Sequence, residues 1–161
     1  MSRWKFLIRF LCKLILIAAG IWLTVTYVMV PYRVSGMDMQ PALQDGDLGL
    51  FYAFGSCYTD DVVLYRSYDG LCVGRVMAKG GQTVDFSEGS GILVDGYGID
   101  AEPYRSMDGG LLQEYPLTVP EGSFFLCNAC ADSRKDSRAY GVISEKDVKG
   151  KLLFLLRRRD F

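Results

Sequence analysis

Val34-Ser-Gly-Met-Asp-Met-Gln-Pro-Ala-Leu-Gln-Asp-Gly-Asp47 stands where the character of the chain changes. Upstream, Leu14–Tyr32 is nineteen residues without a charge. At 1.5 Å of rise per residue, such a helix reaches about 28 Å, close to the roughly 30 Å hydrocarbon core of a bilayer. Arg3, Lys5, Arg9 and Lys13 precede the run and only Arg33 directly follows it. By the positive-inside rule this predicts a cytoplasmic N-terminus over 1–13, a transmembrane anchor over 14–32 and an extracellular domain over 33–161. A cleaved signal peptide is the competing reading. Its apolar core is normally 7–15 residues and ends in a small-x-small site, whereas this run is longer and closes on Val-Pro-Tyr-Arg.

Downstream of Arg33 the apolar residues fall into short runs with Gly, Asp, Ser or Pro between them. Leu48–Tyr52, Val62–Arg66, Leu71–Met77, Thr83–Phe86, Ile92–Val94, Leu117–Val119, Ser123–Cys127 and Leu152–Leu156 read as strands, which predicts a mainly β domain. Asp95-Gly96 is a two-residue hairpin signal, because type I′ turns want positive φ at both central residues. Arg105–Glu114, with Gly109-Gly110, reads as a long loop. A short helix is expected over Ser144–Val148, capped by Ser144. Arg157-Arg158-Arg159 reads as a solvated end.

The 161 residues contain no histidine, which excludes Ser-His-Asp and Cys-His nucleophile pairs and most catalytic zinc sites. Beyond Lys13 the chain carries 14 basic against 19 acidic groups, an acidity that argues against a nucleic-acid partner. Of five cysteines, Cys12 lies at the membrane entry, leaving Cys57, Cys72, Cys127 and Cys130 free to pair outside the cell. Cys127-x-x-Cys130 has the spacing of a redox pair or half a zinc site; without His or a second such motif, a disulfide or two buried small residues is the plainer account. Asp45-Gly46-Asp47 lacks the further oxygen ligands of a calcium loop and reads as a turn. No metal and no cofactor is expected.

The order of motifs resembles the type I signal peptidases of bacteria. Gly36-Met37-Asp38-Met39-Gln40-Pro41-Ala42-Leu43 behind an anchor is similar to their nucleophile box, followed by Gly46-Asp47 and Asp61-Val62-Val63. Val73-Gly74-Arg75-Val76-Met77-Ala78 stands at their lysine box. Val119-Pro120-Glu121-Gly122-Ser123-Phe124-Phe125 and Asp136-Ser137-Arg138 with Tyr140-Gly141 match later boxes. The resemblance covers nearly the whole chain and implies coiled antiparallel β-sheets with a peptide-binding cleft beside the outer membrane surface. It implies that Gly36, Met37, Asp38, Met39, Pro41, Val73, Gly74, Arg75 and Arg134 line that cleft, and that Asp136 and Arg138 form an ion pair supporting it.

The departures bear on chemistry. Acyl transfer needs an activated nucleophile, a base about 2.6–3.2 Å away, and donors for the oxyanion. The family's serine is replaced by Asp38, a poor attacker of amides, and its lysine by Gly74, which has no side chain. Its supporting serine corresponds to Arg134, and a Gly-Asp-Asn triplet is replaced by Asn128-Ala129-Cys130. Arg75 stays protonated and points to the other face of the strand from Gly74, Lys79 stands beside a Gly80-Gly81 turn, and Ser35 is three residues from the nucleophile position. A shared proton between Asp38 and Asp45, Asp47 or Asp136 finds no support in the spacing.

These residues predict a catalytically inactive signal-peptidase-like membrane protein that binds an extended polypeptide. Degenerate relatives of this kind accompany pilus gene clusters in Gram-positive bacteria, so the resemblance implies pilin subunits or a sortase as partners. The rival expectation is a working signal peptidase with a non-standard dyad.

Overall fold

A computed structural model describes residues 2–68, 70–87, 89–99, 102, 104, 107–108, 114–130 and 135–157. Arg134, Arg158, Arg159 and most of the expected 105–114 loop lie outside the described residues.

Helix α1, Ser2–Val28, is apolar on every side beyond Lys13, and Arg3–Val28 is long and apolar enough to cross a membrane. It ends four residues before Tyr32. Met29–Arg33 forms strand β1, because its backbone pairs in full register with β2, Leu48–Tyr52, from Met29↔Tyr52 to Arg33↔Leu48. The uncharged run is thus shared between a helix and an edge strand, a division that hydropathy does not register.

The remaining strands are β3 (Val62–Ser67), β4 (Gly70–Lys79), β5 (Thr83–Ser87), β6 (Gly91–Val94), β7 (Tyr97–Gly98), β8 (Leu117–Thr118), β9 (Ser123–Cys127), β10 (Ile143–Ser144) and β11 (Val148–Leu156). Among the described residues they form two sheets, in the orders β1-β2-β11-β3-β4-β9-β10 and β7-β6-β5-β8, and the pairings are antiparallel. The fold is mainly β, as the strand pattern predicts. Asp95 and Gly96 take φ of 52° and 83° between β6 and β7, the conformation a type I′ turn requires. The expected helix at 144–148 is a single 3₁₀ turn, Glu145–Asp147, capped by the Ser144 hydroxyl. Helix α2, Ser137–Tyr140, is too short for sequence periodicity to reveal.

Strand β3 is buried on both faces and separates two layers. Val63 and Tyr65 join Val76, Phe124, Leu126 and Ile143 on one side; Leu64 joins Val34, Met39, Leu43, Phe51, Val73 and Ala129 on the other. A bulge in β4 between Val76 and Ala78 breaks the alternation, so Met77 and Ala78 both enter a third cluster with Val84, Ile92 and Phe125 beneath the small sheet.

Candidate functional site

The segment after β1 is folded back on itself by its own polar groups. Val34 donates its N–H to Asp47 O at 2.8 Å and accepts from Gly46 N at 2.9 Å, closing the loop at its base. Asp45 Oδ1 accepts from Gly36 N and Asp47 Oδ2 from Gln44 N, so both carboxylates of Asp45-Gly46-Asp47 hold turns. Gly36 has φ of 91°, a conformation that L side chains rarely adopt. Met39 and Leu43 anchor the loop in the core. Arg157 reaches it from the end of β11, with Nη2 donating to Ala42 O at 3.2 Å and Nε 3.7 Å from the buried Asp47 Oδ2. The first arginine of the terminal run is therefore a clamp on this loop rather than a purely solvated group.

A pocket of about 290 Å³ opens between this loop and β4, lined by Tyr32, Val34, Ser35, Gly36, Asp38, Met39, Leu71, Cys72, Val73, Asn128 and Lys135. Its floor is apolar, and Asp38, Ser35, Asn128 and Lys135 supply polar groups. Asp38 is half-buried, and its carbonyl accepts from Cys130 N at 2.9 Å, which ties the loop to the chain leaving β9.

Of the residues expected in the cleft, Gly36, Asp38, Met39 and Val73 line this pocket, whereas Met37, Pro41, Gly74 and Arg75 do not. Strand alternation and local pairing explain the difference at β4. Val73 faces the loop and packs with Met39, so Gly74 faces the opposite layer. A β-carbon on Gly74 would lie 3.1 Å from Tyr65 Cε1 and 3.4 Å from Leu126 Cβ. Arg75 turns out to Asp60, with Nη1 2.7 Å from Oδ1. Met37 projects into solvent at the loop tip, and Pro41 is exposed on the loop's outer side. Arg134 lies outside the described residues.

Tyr65 fills the layer behind Gly74. It is fully buried, its hydroxyl donates to Lys135 O at 3.2 Å, and burial pushes its pKa upward. Sequence reasoning registered an absent base at position 74 without seeing what occupies the space beside it. The one available signal was a glycine inside a strand, which often marks close approach of another group.

Behind the pocket, Asp136 and Arg138 form a buried ion pair. Nη2 lies 2.8 Å and Nε 3.2 Å from Oδ2, with side chains 1% and 0% exposed for Arg138 and Asp136. Asp136 Oδ1 also caps α2 by accepting from Arg138 N, and Oδ2 accepts from Asn128 N at 2.9 Å. Asn128 Nδ2 in turn donates to Lys135 O at 3.3 Å. One carboxylate thus binds α2, the end of β9 and the pocket wall together.

Ser35 and Lys135 share the pocket, and no serine–lysine hydrogen bond is present among the described residues. Lys135 is exposed. No disulfide joins any of the five cysteines; Cys127 is fully buried, and desolvation holds its thiol well above the ordinary thiol range. That is the opposite of the depressed pKa a redox thiol needs. Among the described residues no group of three or more His, Cys, Asp or Glu side chains is placed to hold a metal ion.

An apolar N-terminal helix, a twisted antiparallel β domain and a groove between the first post-helix loop and a strand edge together define a signal-peptidase-type protein. The family profile described as "Signal peptidase, peptidase S26" matches residues 7–156. The chain belongs to this family. Among its relatives, the Inactive signal peptidase IA of Staphylococcus aureus is 25% identical over 165 residues, covering 92% of this chain and 90% of the relative. Signal peptidase I V of Bacillus subtilis is 27% identical over 141 residues, covering 76% and 83%. A crystal structure of a signal peptidase I from Enterococcus faecalis superimposes with a TM-score of 0.52 at 19% identity, over 62% of this chain and 98% of the other.

Proposed function

We propose that this protein is a membrane-anchored, catalytically inactive member of the signal peptidase family that holds an extended polypeptide in the groove between the Val34–Asp38 loop and β4. The observation that carries the reading is the pair of changes at the chemical positions. A carboxylate at Asp38 cannot serve as the serine does, and position 74 has no side chain and turns toward Tyr65. The relatives named inactive signal peptidase add support.

The groove suits strand addition. Beyond Arg75↔Cys127, β4 has no neighbouring strand on its β9 side among the described residues, so Leu71 and Val73 present backbone groups to the pocket. Val34, Met39 and Val73 offer shallow apolar contacts for small side chains. On this reading the bound chain is a secreted polypeptide. The pilus role implied by the degenerate relatives makes pilin subunits, or the sortase that joins them, the proposed partners. The basic N-terminus supports an orientation with the domain outside the cell.

Full-length protein in detergent micelles, presented with a preprotein, is expected to leave it uncleaved while binding a labelled extended peptide. Val73→Trp, which fills the groove, is expected to abolish that binding. Cleavage that Asp38→Ala removes would overturn the reading.

A second reading has one observation behind it: Ser35 and Lys135 line the same pocket, so a displaced dyad could sustain peptidase activity. It requires turnover that both Ser35→Ala and Lys135→Met abolish.

A further inference from the structure

The Tyr32 hydroxyl donates to Leu71 O at 2.9 Å, joining two residues 39 apart in sequence across the mouth of the groove. Tyr32 comes from edge strand β1 and Leu71 from the start of β4, and both line the pocket. The Tyr32 ring is held edge-on to Phe51, centroids 6.4 Å apart, and packs on the core cluster of Met39 and Val73. It is therefore a positioned ring rather than a wandering surface side chain.

Strand register shows what the bond consumes. Gly74 and Cys72 pair with Val63 and Tyr65 of β3, and Val76 donates its N–H to Asp61 O, so the even positions of β4 direct their backbone groups toward β3. The odd positions, Leu71 and Val73, direct theirs to the opposite side, where the ladder to β9 has already ended. A polypeptide adding itself to this edge meets two carbonyls as acceptors. One of them, Leu71 O, is already taken by Tyr32. Asp38, which also lines the pocket, is tied by its carbonyl to Cys130 N.

Resting on the reading of the groove as a polypeptide site, the geometry points to Tyr32 as a latch that sets the length and register of what the groove holds. With the latch closed, the bound segment has both main-chain groups of Val73 to pair with, but it must compete with the Tyr32 hydroxyl for Leu71 O. The ligand class that follows is a short extended stretch of backbone or a chain end, selected by how few main-chain hydrogen bonds it needs. Tyr32 is a positioning residue in this account; its ring walls the groove and its hydroxyl withholds an acceptor.

Tyr32→Phe removes the hydroxyl and keeps the ring. The probe is a labelled alanine- and valine-rich peptide, N-methylated at one backbone amide after another, titrated against full-length protein in micelles. The wild-type protein is expected to tolerate methylation at the amide that would face Leu71. Tyr32→Phe is expected to bind the unmethylated peptide about tenfold more tightly, the effect of roughly one added hydrogen bond, and to lose that gain when this amide is methylated. A methylation profile identical in the two proteins would overturn the latch. The ¹³C carbonyl resonance of Leu71, read without any peptide, gives an independent measure. It is expected to move upfield in Tyr32→Phe, and an unchanged resonance also overturns the latch. Loss of all peptide binding in both proteins, with the carbonyl shift present, would sink the polypeptide-site reading while leaving the closed latch supported.

Discussion

Tyr65 occupies the space that any side chain at position 74 would enter: its Cε1 lies 3.1 Å from the place a β-carbon on Gly74 would take. The two residues sit diagonally on neighbouring antiparallel strands, two residues apart in register, since Val63 faces Gly74 and Tyr65 faces Cys72. The bare backbone at position 74 and the packing of Tyr65 are therefore one structural fact, and each constrains the other.

The first consequence concerns stability. Gly74→Ala forces Tyr65 or Leu126 to give way, and an overpacked core of this kind costs about 1–3 kcal/mol. Urea denaturation is expected to show that loss in Gly74→Ala. In the background Tyr65→Ala the same change should cost much less, because the ring is gone. Equal losses in both backgrounds would mean that Tyr65 yields freely.

Catalysis should not return when Ser and Lys are restored together. Asp38→Ser with Gly74→Lys sends the lysine stem into the layer occupied by Tyr65 and Leu126, away from the pocket that Asp38 lines. Arg134 and Asn128-Ala129-Cys130 also depart from the family pattern. A preprotein assay with this double variant is expected to show no turnover. Robust cleavage would demonstrate that the strand can rotate its side chain into the groove.

Arg138→Ala removes one partner of a buried pair and leaves the Asp136 carboxylate without its cation. Breaking such pairs costs about 3–5 kcal/mol. Because Asp136 also holds Asn128 N and caps α2, the pocket wall is expected to loosen. Denaturation should report the first effect, and faster amide exchange at Asn128 and Ala139 the second.

Alkaline pH should destabilise the fold in a defined direction. Burial raises the Cys127 thiol and the Tyr65 and Tyr115 hydroxyls above their ordinary values. The folded state therefore holds these protons more tightly than the unfolded chain does. Their contribution is complete below the ordinary thiol and phenol values and is lost as pH rises above about 9 toward the elevated folded values. Urea midpoints are expected to be level near neutrality and to fall beyond pH 9. Cys127→Ala should soften the first part of that fall, and an identical profile would remove Cys127 from the account. In the same series, alkylation of Cys127 should wait for unfolding, because the residue is fully buried.

Much of the architecture was readable because it rests on local pattern. The uncharged run, the short apolar runs Leu48–Tyr52 and Ser123–Cys127, and the Asp95-Gly96 turn each encode their structure within a few neighbouring residues. The order of the motif boxes identified the family and located Asp38 and Gly74, since side-chain identity is itself a sequence property.

Tertiary contact decided the rest, because it depends on which distant backbone a segment meets. Met29–Tyr32 is as apolar as the helix before it, and only pairing with β2 turns it into a strand. Gly74 reads as a vacancy until β3 places Tyr65 against it, and Tyr32 reads as the last residue of the uncharged run until β4 brings Leu71 O within reach of its hydroxyl. Arg157 looks like the start of a solvated basic end until β11 delivers it to Ala42 and Asp47. The chain by itself specified that an acid and a glycine stand at positions 38 and 74; the packing of β3 on β4 and the reach of β1 to it specified what surrounds them, because strand register, unlike residue identity, is set by partners far away in sequence.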